Sequence, residues 1–236
     1  MQITQKKIRS LDPEWSLFRG STVLLEPMGI EFGASGAKEI FGDLYRLIDE
    51  AMPEDAWKEK FGFCRLPAET YHVTLADLVN DGNVHRIPAS IRSSFGLRNV
   101  ELGREYPQEL QNIVIESGLL NSPIAPVRWS VKGLEIINRS VMALVVEPIE
   151  CDALSDVLDA RNGLKRLLKA KLNIDLQDFK PHVSVGYFAN KDTADLALEE
   201  SDHLSHLSKK VFDNREWSFD SGHIYTFSSM SNYARS

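Results

Sequence analysis

Cysteine is scarce in this chain, and the scarcity excludes two classes of protein. Only Cys64 and Cys151 are present among the 236 residues. Two cysteines cannot build the disulfide framework of a small secreted domain, and these two do not form a metal-binding pair. We therefore expect two reduced thiols and a cytoplasmic protein.

Long hydrophobic runs are also missing. The run from Val141 to Val146 is among the longest and has only six residues, whereas a membrane-spanning helix needs about 20. The N-terminal residues Met1 to Lys7 include lysines but no apolar stretch follows them, so they do not resemble a secretory signal. We expect no membrane partner.

Positive charge is in deficit. The 27 Lys and Arg residues face 34 Asp and Glu residues, which gives a net charge of −7. An acidic protein repels a phosphate backbone at long range, which argues against a protein that coats extended nucleic acid. A local cationic pocket still permits a nucleotide or an RNA end as ligand. The 43% hydrophobic content indicates a globular chain, not a disordered one, and we expect a monomer.

No low-complexity tract or Gly/Ser-rich linker divides the sequence. We predict an N-terminal extension over 1–20 and one domain over 21–236, with a helical insertion at about 77–122 in which Pro88 and Pro107 can each start a helix. The predicted strands are Ser21–Glu26, Leu66–Leu75, Val127–Ile137, Ser140–Glu147, Phe179–Phe188, Glu216–Asp220 and His223–Ser228. The predicted helices are Ser35–Ala51, Leu154–Leu172 and a polar helix near Thr193–Lys209.

The order of these elements repeats. Each half contains a strand, a helix and then a second strand, and each second strand carries a histidine followed by valine and a hydroxyl residue. The repeat predicts an α+β fold of two related lobes. We expect antiparallel-rich sheets with helices outside and an active-site cleft between the lobes.

The two histidine segments are the most informative part of the sequence. They read His72-Val73-Thr74-Leu75 and His182-Val183-Ser184-Val185. On a strand, residues i and i+2 share a face, so each histidine shares its face with the hydroxyl residue. A single segment of this kind is common and means little. Two copies, each at the end of a strand–helix–strand unit, favour a shared role.

That role is acid–base chemistry at phosphorus. Imidazoles titrate near neutral pH, so one can take a proton from an attacking hydroxyl or water while the other protonates the leaving oxygen. The hydroxyls of Thr74 and Ser184 can bind the nonbridging phosphate oxygens. This scheme requires neither a metal nor any other cofactor.

With both segments present, the sequence resembles the two-histidine phosphoesterase superfamily, whose signature is a pair of His-x-Ser/Thr-x motifs in a duplicated α+β fold. The resemblance covers roughly 21–228. It implies that His72 and His182 are the catalytic acid–base pair and that Thr74 and Ser184 bind the substrate phosphate. It also suggests that the second histidine activates water, although the residues alone leave the two roles open. The motifs lie 110 positions apart, farther than in compact members, and the excess falls in 77–122.

The function expected from this resemblance is metal-independent hydrolysis of a cyclic phosphate, on a 2′,3′-cyclic nucleotide or an RNA terminus. Three alternatives remain open at this stage. They are an RNA 2′,5′-end ligase, which uses the same acid–base pair in the reverse direction, a cyclic-oligonucleotide phosphodiesterase, and a nucleotide-binding module without turnover.

Other side chains give weaker signals. Tyr71, Tyr187 and Tyr225 are candidate substrate contacts, because aromatic rings near the motifs can stack on a base. His203 and His206 have helical spacing, but no third ligand is placed beside them. We therefore predict no metal site.

Overall fold

A computed structural model describes residues 1–11, 14–27, 35–93, 108–120, 127–149, 151–199 and 216–235. These residues form ten strands and six α-helices. The strands are β1 (Ile8–Ser10), β2 (Glu14–Trp15), β3 (Gly20–Pro27), β4 (Phe63–Arg65), β5 (Val73–Asn80), β6 (Val127–Ile137), β7 (Val141–Pro148), β8 (His182–Phe188), β9 (Glu216–Ser229) and β10 (Asn232–Arg235). The helices are α1 (Ser35–Ala51), α2 (Glu54–Phe61), α3 (Ala89–Arg92), α4 (Gln108–Glu116), α5 (Cys151–Leu172) and α6 (Lys191–Glu199).

One strongly curled antiparallel sheet contains eight of the strands. Its order is β10-β9-β3-β5-β8-β7-β6, with β4 added beside β8. The sheet curls far enough that β9, which pairs with β3, also pairs with β6. The remaining two strands, β1 and β2, pair with each other.

The predicted two-lobed α+β fold is confirmed. In the first half, β3 and β5 are antiparallel neighbours and α1 lies between them in sequence. In the second half, β7, α5 and β8 repeat that arrangement. At the histidine segments the two halves meet through a single residue pair of β5 and β8, Val73–Val183. The halves are also joined where β4 pairs with β8 and where β9 lies between β3 and β6.

Buried stripes explain why the two long helices form. In α1, Phe41, Leu44 and Ile48 recur at helical spacing and are almost fully buried. Their spacing places them on one helical face, which packs against the sheet. The equivalent stripe of α5 consists of Leu154, Val157, Arg161, Leu164, Leu168 and Leu172.

Arg161 is the polar member of the α5 stripe and is only 5% exposed. Its Nε donates to the carbonyl of Leu75 at 2.8 Å and its Nη2 donates to the carbonyl of Gln177. The guanidinium also lies 5.2 Å from the ring centroid of Phe179. These contacts satisfy a buried cation and tie α5 to the chain segments that enter and leave the histidine strands.

The hairpin between β6 and β7 turns at Asn138 and Arg139, as predicted. Both residues have φ of 52°, which is the left-handed conformation that the tightest hairpin turns require at both central positions. Helices begin directly after Pro88 and Pro107, also as predicted.

Other predicted boundaries were wrong. The strand expected over Leu66–Leu75 begins at Val73 and runs to Asn80, because Pro67 and a 3-10 turn over Ala68–Thr70 precede it. The two closing strands expected near the C-terminus are one strand, β9, and β10 was missed. The polar helix expected near Thr193–Lys209 is present as α6 over Lys191–Glu199, and its remaining part, 200–209, lies outside the described residues.

The first residues of the chain pack onto this sheet. The amides of Thr4 and Gln5 both donate to the carbonyl of Ala189 at 2.9 Å, and Ile8 is 4% exposed within the core. Within the described ranges, no helix is long and apolar enough to cross a membrane.

Candidate active site

The backbone pairs the two histidine segments directly. Val73 on β5 lies opposite Val183 on β8 in an antiparallel register, and both valines are fully buried. One step to either side, that register sets His72 opposite Ser184 and Thr74 opposite His182. Side chains alternate along a strand, so these four share the face opposite to the valines. Directly opposite residues have Cβ atoms about 5 Å apart, and the diagonal pair of histidines about 7–8 Å.

Each histidine is held by a backbone carbonyl two residues earlier. His72 Nδ1 lies 2.7 Å from the carbonyl oxygen of Thr70, and His182 Nδ1 lies 2.7 Å from that of Lys180. A carbonyl oxygen only accepts, so Nδ1 must carry a proton in both rings. The nitrogen left to exchange protons with a substrate is therefore Nε2 in both cases. The Lys180 side chain turns away and pairs with Glu135 at 2.8 Å.

The environment of His72 favours the neutral imidazole. Burial lowers the pKa of His72 from 6.5 to about 4. The hydrogen bond to Thr70 raises this pKa, whereas the electrostatic influence of His182 and of the Lys7 ammonium lowers it. His72 is thus neutral at physiological pH, and its Nε2 carries a lone pair.

Lys7 reaches this site from the N-terminal segment. Its Nζ donates to the Tyr187 hydroxyl at 3.0 Å and lies 4.6 Å from the Tyr187 ring centroid and 5.5 Å from that of Phe18. Burial opposes the charge on Lys7, but the contact with Tyr187 and the field of Asp77 outweigh it and raise the pKa of Lys7 above its ordinary 10.5. The ammonium is therefore charged at every pH of interest.

Aromatic residues of the last two strands complete the surroundings of His72. The Tyr233 ring centroid lies 5.3 Å from the His72 ring centroid, with the rings tilted by 63°. Tyr233 also packs against a small apolar cluster of Leu24 and Tyr225, and Leu24 lies directly opposite Thr74 in the β3–β5 register. These side chains extend the histidine face across the neighbouring strands.

A buried carboxylate ends this extension. Glu26 is 4% exposed and accepts a hydrogen bond from the Tyr225 hydroxyl. His223 Nε2 lies 3.5 Å from its Oε2, and Arg235 Nη1 lies 4.0 Å from the same atom. The Arg235 guanidinium and the Tyr225 phenol thus give the buried carboxylate a cation and a hydrogen-bond donor.

The candidate substrate contacts fall in three different places. Tyr187 lies at the site, where it holds Lys7. Tyr225 is 1% exposed and its hydroxyl is occupied by Glu26. Tyr71 is fully buried under α1, with its ring centroid 5.9 Å from that of Phe41. Because Tyr71 precedes His72 in an extended chain, its side chain points to the opposite face, into the core.

Sequence reasoning missed Lys7 and Tyr233. Neither belongs to a motif, and each is brought to the histidines by packing of a chain terminus onto the sheet. His203 and His206 lie outside the described residues, and within the described part no three His, Cys, Asp or Glu side chains are placed to hold a metal ion together.

The comparisons with known proteins bear on the fold. No protein-family model and no curated protein matches the sequence. The structure is similar to that of a conserved protein of unknown function from Agrobacterium tumefaciens, with a TM-score of 0.58 and 12% identity over 97% of this chain and 89% of that chain.

Two further solved structures match at lower similarity. Apo LigT from E. coli has a TM-score of 0.48 and 10% identity over 94% of this chain and 96% of that one. Usb1 from Kluyveromyces marxianus has a TM-score of 0.44 and 12% identity over 91% and 96%. At such identities, the match to the A. tumefaciens protein establishes a common fold along nearly the whole chain.

Proposed function

We propose that this protein is a phosphodiesterase that opens a cyclic phosphate on a nucleotide or RNA end by two-histidine acid–base catalysis. The observation that carries the proposal is the pairing of the two histidine segments across Val73–Val183. The pairing gives each imidazole a hydroxyl neighbour on the adjacent strand. It also places both imidazoles on one face, as diagonal neighbours about 7–8 Å apart.

In the proposed reaction, water attacks phosphorus while the bond from phosphorus to the 3′ oxygen breaks. One Nε2 accepts the proton of the water and the other Nε2 gives a proton to the departing 3′ oxygen, so the product is a 2′-phosphate and a free 3′ hydroxyl. Both histidines return to their starting states when they exchange protons with solvent. The scheme involves no metal ion.

The neutral state of His72 favours one of the two possible role assignments. A base must begin unprotonated, and His72 is neutral in the free protein because its pKa is lowered to about 4. His72 is then the base in the hydrolytic direction and His182 the acid. This order is the reverse of the one that the family resemblance implies.

The two hydroxyl residues bind the phosphate in this proposal. Thr74 and Ser184 are both partly exposed on the histidine face, one on each strand. A hydroxyl on either side of the phosphate can donate to a nonbridging oxygen, whose negative charge must be stabilised while the fifth bond to phosphorus forms.

The experiment is turnover of the four 2′,3′-cyclic nucleotides by purified protein in excess chelator. His182→Ala is the loss-of-function variant, and His85→Ala, at an exposed position, is the matched control. We expect a 2′-phosphate product that disappears in His182→Ala and persists in His85→Ala. Full activity in His182→Ala, or activity that requires an added metal, would overturn the mechanism.

A further inference from the structure

The ammonium of Lys7 is a positive charge without a close anionic partner. Its only hydrogen-bond partner among the described residues is a neutral phenol, at 3.0 Å, and no carboxylate of the described ranges lies within 4.0 Å of Nζ. Asp77 influences its charge only from a greater distance. Other lysines of the chain behave differently: Lys132, Lys165, Lys169, Lys171 and Lys180 each pair with a carboxylate at 2.5–3.2 Å.

This arrangement holds the ammonium without neutralising it. A phenol and two ring faces contact the cation, and none of them carries a negative charge. The surroundings also keep the side chain in place: the Tyr187 hydroxyl accepts from Nζ, and the amide of Ser16 donates to the Lys7 carbonyl at 2.9 Å. The protein thus holds an ammonium in a fixed position beside the histidine pair, where an anion is the missing partner.

We propose that Lys7 is a phosphate-binding residue of the two-histidine site. Its ammonium donates to a nonbridging oxygen of the phosphate that lies between the two Nε2 atoms, and Tyr187 positions it there. The inference rests on the proposed function in one respect, because it takes the phosphate group to be the ligand of the histidine face. It adds a cation that the paired motifs do not contain and that the N-terminal segment supplies.

Two independent features agree with this placement. Tyr187 is on β8, the same strand as His182 and Ser184, so the group that holds Lys7 and the groups that bind phosphate share one rigid element. In addition, the charge of Lys7 acts on His72 and lowers the pKa of that imidazole. A cation at this position therefore attracts the phosphate and also keeps the base unprotonated.

The test measures binding of inorganic phosphate by calorimetry at pH 7 and low salt, using the full chain. Lys7→Met removes the charge and keeps the length of the side chain, and Lys6→Met removes the charge of the exposed neighbour. Loss of a charge-assisted hydrogen bond weakens binding about tenfold or more. We expect that loss in Lys7→Met, partial recovery in Lys7→Arg, and less than a twofold change in Lys6→Met.

A second measurement needs no variant, so it survives a folding defect in Lys7→Met. Wild-type protein is acetylated with and without phosphate, and mass spectrometry follows Lys7 and Lys6 separately. Phosphate should slow modification of Lys7 several-fold and leave Lys6 unaffected. Equal phosphate affinity in Lys7→Met and wild type, or equal acetylation of Lys7 with and without phosphate, overturns the inference.

The outcomes separate this inference from the proposed function. Phosphate binding that depends on Lys7, without turnover of any cyclic nucleotide, retains the anion site and refutes the hydrolase. Turnover that depends on His182, with phosphate binding indifferent to Lys7, retains the hydrolase and refutes the role of Lys7.

Discussion

The stability of the protein should depend on pH through His72, and the effect can be isolated with His72→Gln. An imidazole in the unfolded chain takes up a proton near pH 6.5, whereas in the folded protein it resists protonation down to about pH 4. As pH falls through this interval, the unfolded state binds a proton that the folded state does not, so stability is lost with acidification. Glutamine does not titrate, and the variant lacks this contribution.

The size of the effect follows from the two pKa values. Proton linkage between a pKa of 6.5 and one of about 4 gives a loss of about 2 kcal/mol between pH 7 and pH 5. Urea unfolding at pH 7, 6 and 5 gives the free energy of unfolding of both proteins, and the quantity of interest is wild type minus His72→Gln. That difference should fall by about 2 kcal/mol on going to pH 5, because contributions from other titrating groups cancel.

A difference that stays constant across this range would mean that His72 titrates alike in the folded and unfolded states. The assignment of His72 as the base would then lose its physical support. A difference that grows toward acid would mean that the folded protein prefers the imidazolium, which would favour His72 as the acid.

Three further outcomes are expected. The value of kcat/KM for a cyclic nucleotide should stay constant from neutral pH down to about pH 5 and decline only near the His72 pKa of about 4. A decline in kcat/KM of the wild-type protein that is centred at pH 6.5 would contradict this. Arg161→Met should lower the free energy of unfolding by about 2–3 kcal/mol, because two buried carbonyls lose their donor. Arg166→Met, at an exposed position, should change it by less than about 0.5 kcal/mol. Equal effects of the two variants in urea unfolding would refute the role given to Arg161. Gly186→Ala should be destabilising by more than about 2 kcal/mol, because the added Cβ would lie 2.4 Å from the Phe63 ring. Gly42→Ala has open space around its Cβ and should stabilise α1 by about 0.5–1 kcal/mol. Thermal unfolding should therefore show a lower midpoint for Gly186→Ala and a higher midpoint for Gly42→Ala than for the wild type.

Local signals predicted the repeated framework of the fold. The positive-φ turn at Asn138 and Arg139, the buried stripe of α5 and the helix starts after Pro88 and Pro107 depend on neighbouring residues, which a sequence displays directly. The start of β5 was misplaced because β-branched residues near His72 suggested a strand from Leu66 onward, while Pro67 and the turn after it prevent one.

The site was predictable only where it repeats. Two histidine segments within matching units can be recognised without a structure, but their pairing across Val73–Val183 is a long-range contact that the sequence does not show. Lys7 and Tyr233 could not be predicted as neighbours of the histidines. Each lies near one end of the chain and belongs to no motif or periodic pattern. Tyr71 is adjacent to His72 in sequence, but its side chain is buried in the core, which adjacency in sequence does not reveal.

The carbonyls that hold the histidines have a consequence for how such a site is inherited. In many enzymes, a carboxylate orients the catalytic imidazole, so a third residue type is constrained and leaves a trace in the sequence. Here the orienting atoms belong to the backbone of residues 70 and 180, and every amino acid carries that atom. Selection can therefore exchange the side chain at position 180 freely while the tautomer of the neighbouring histidine stays fixed.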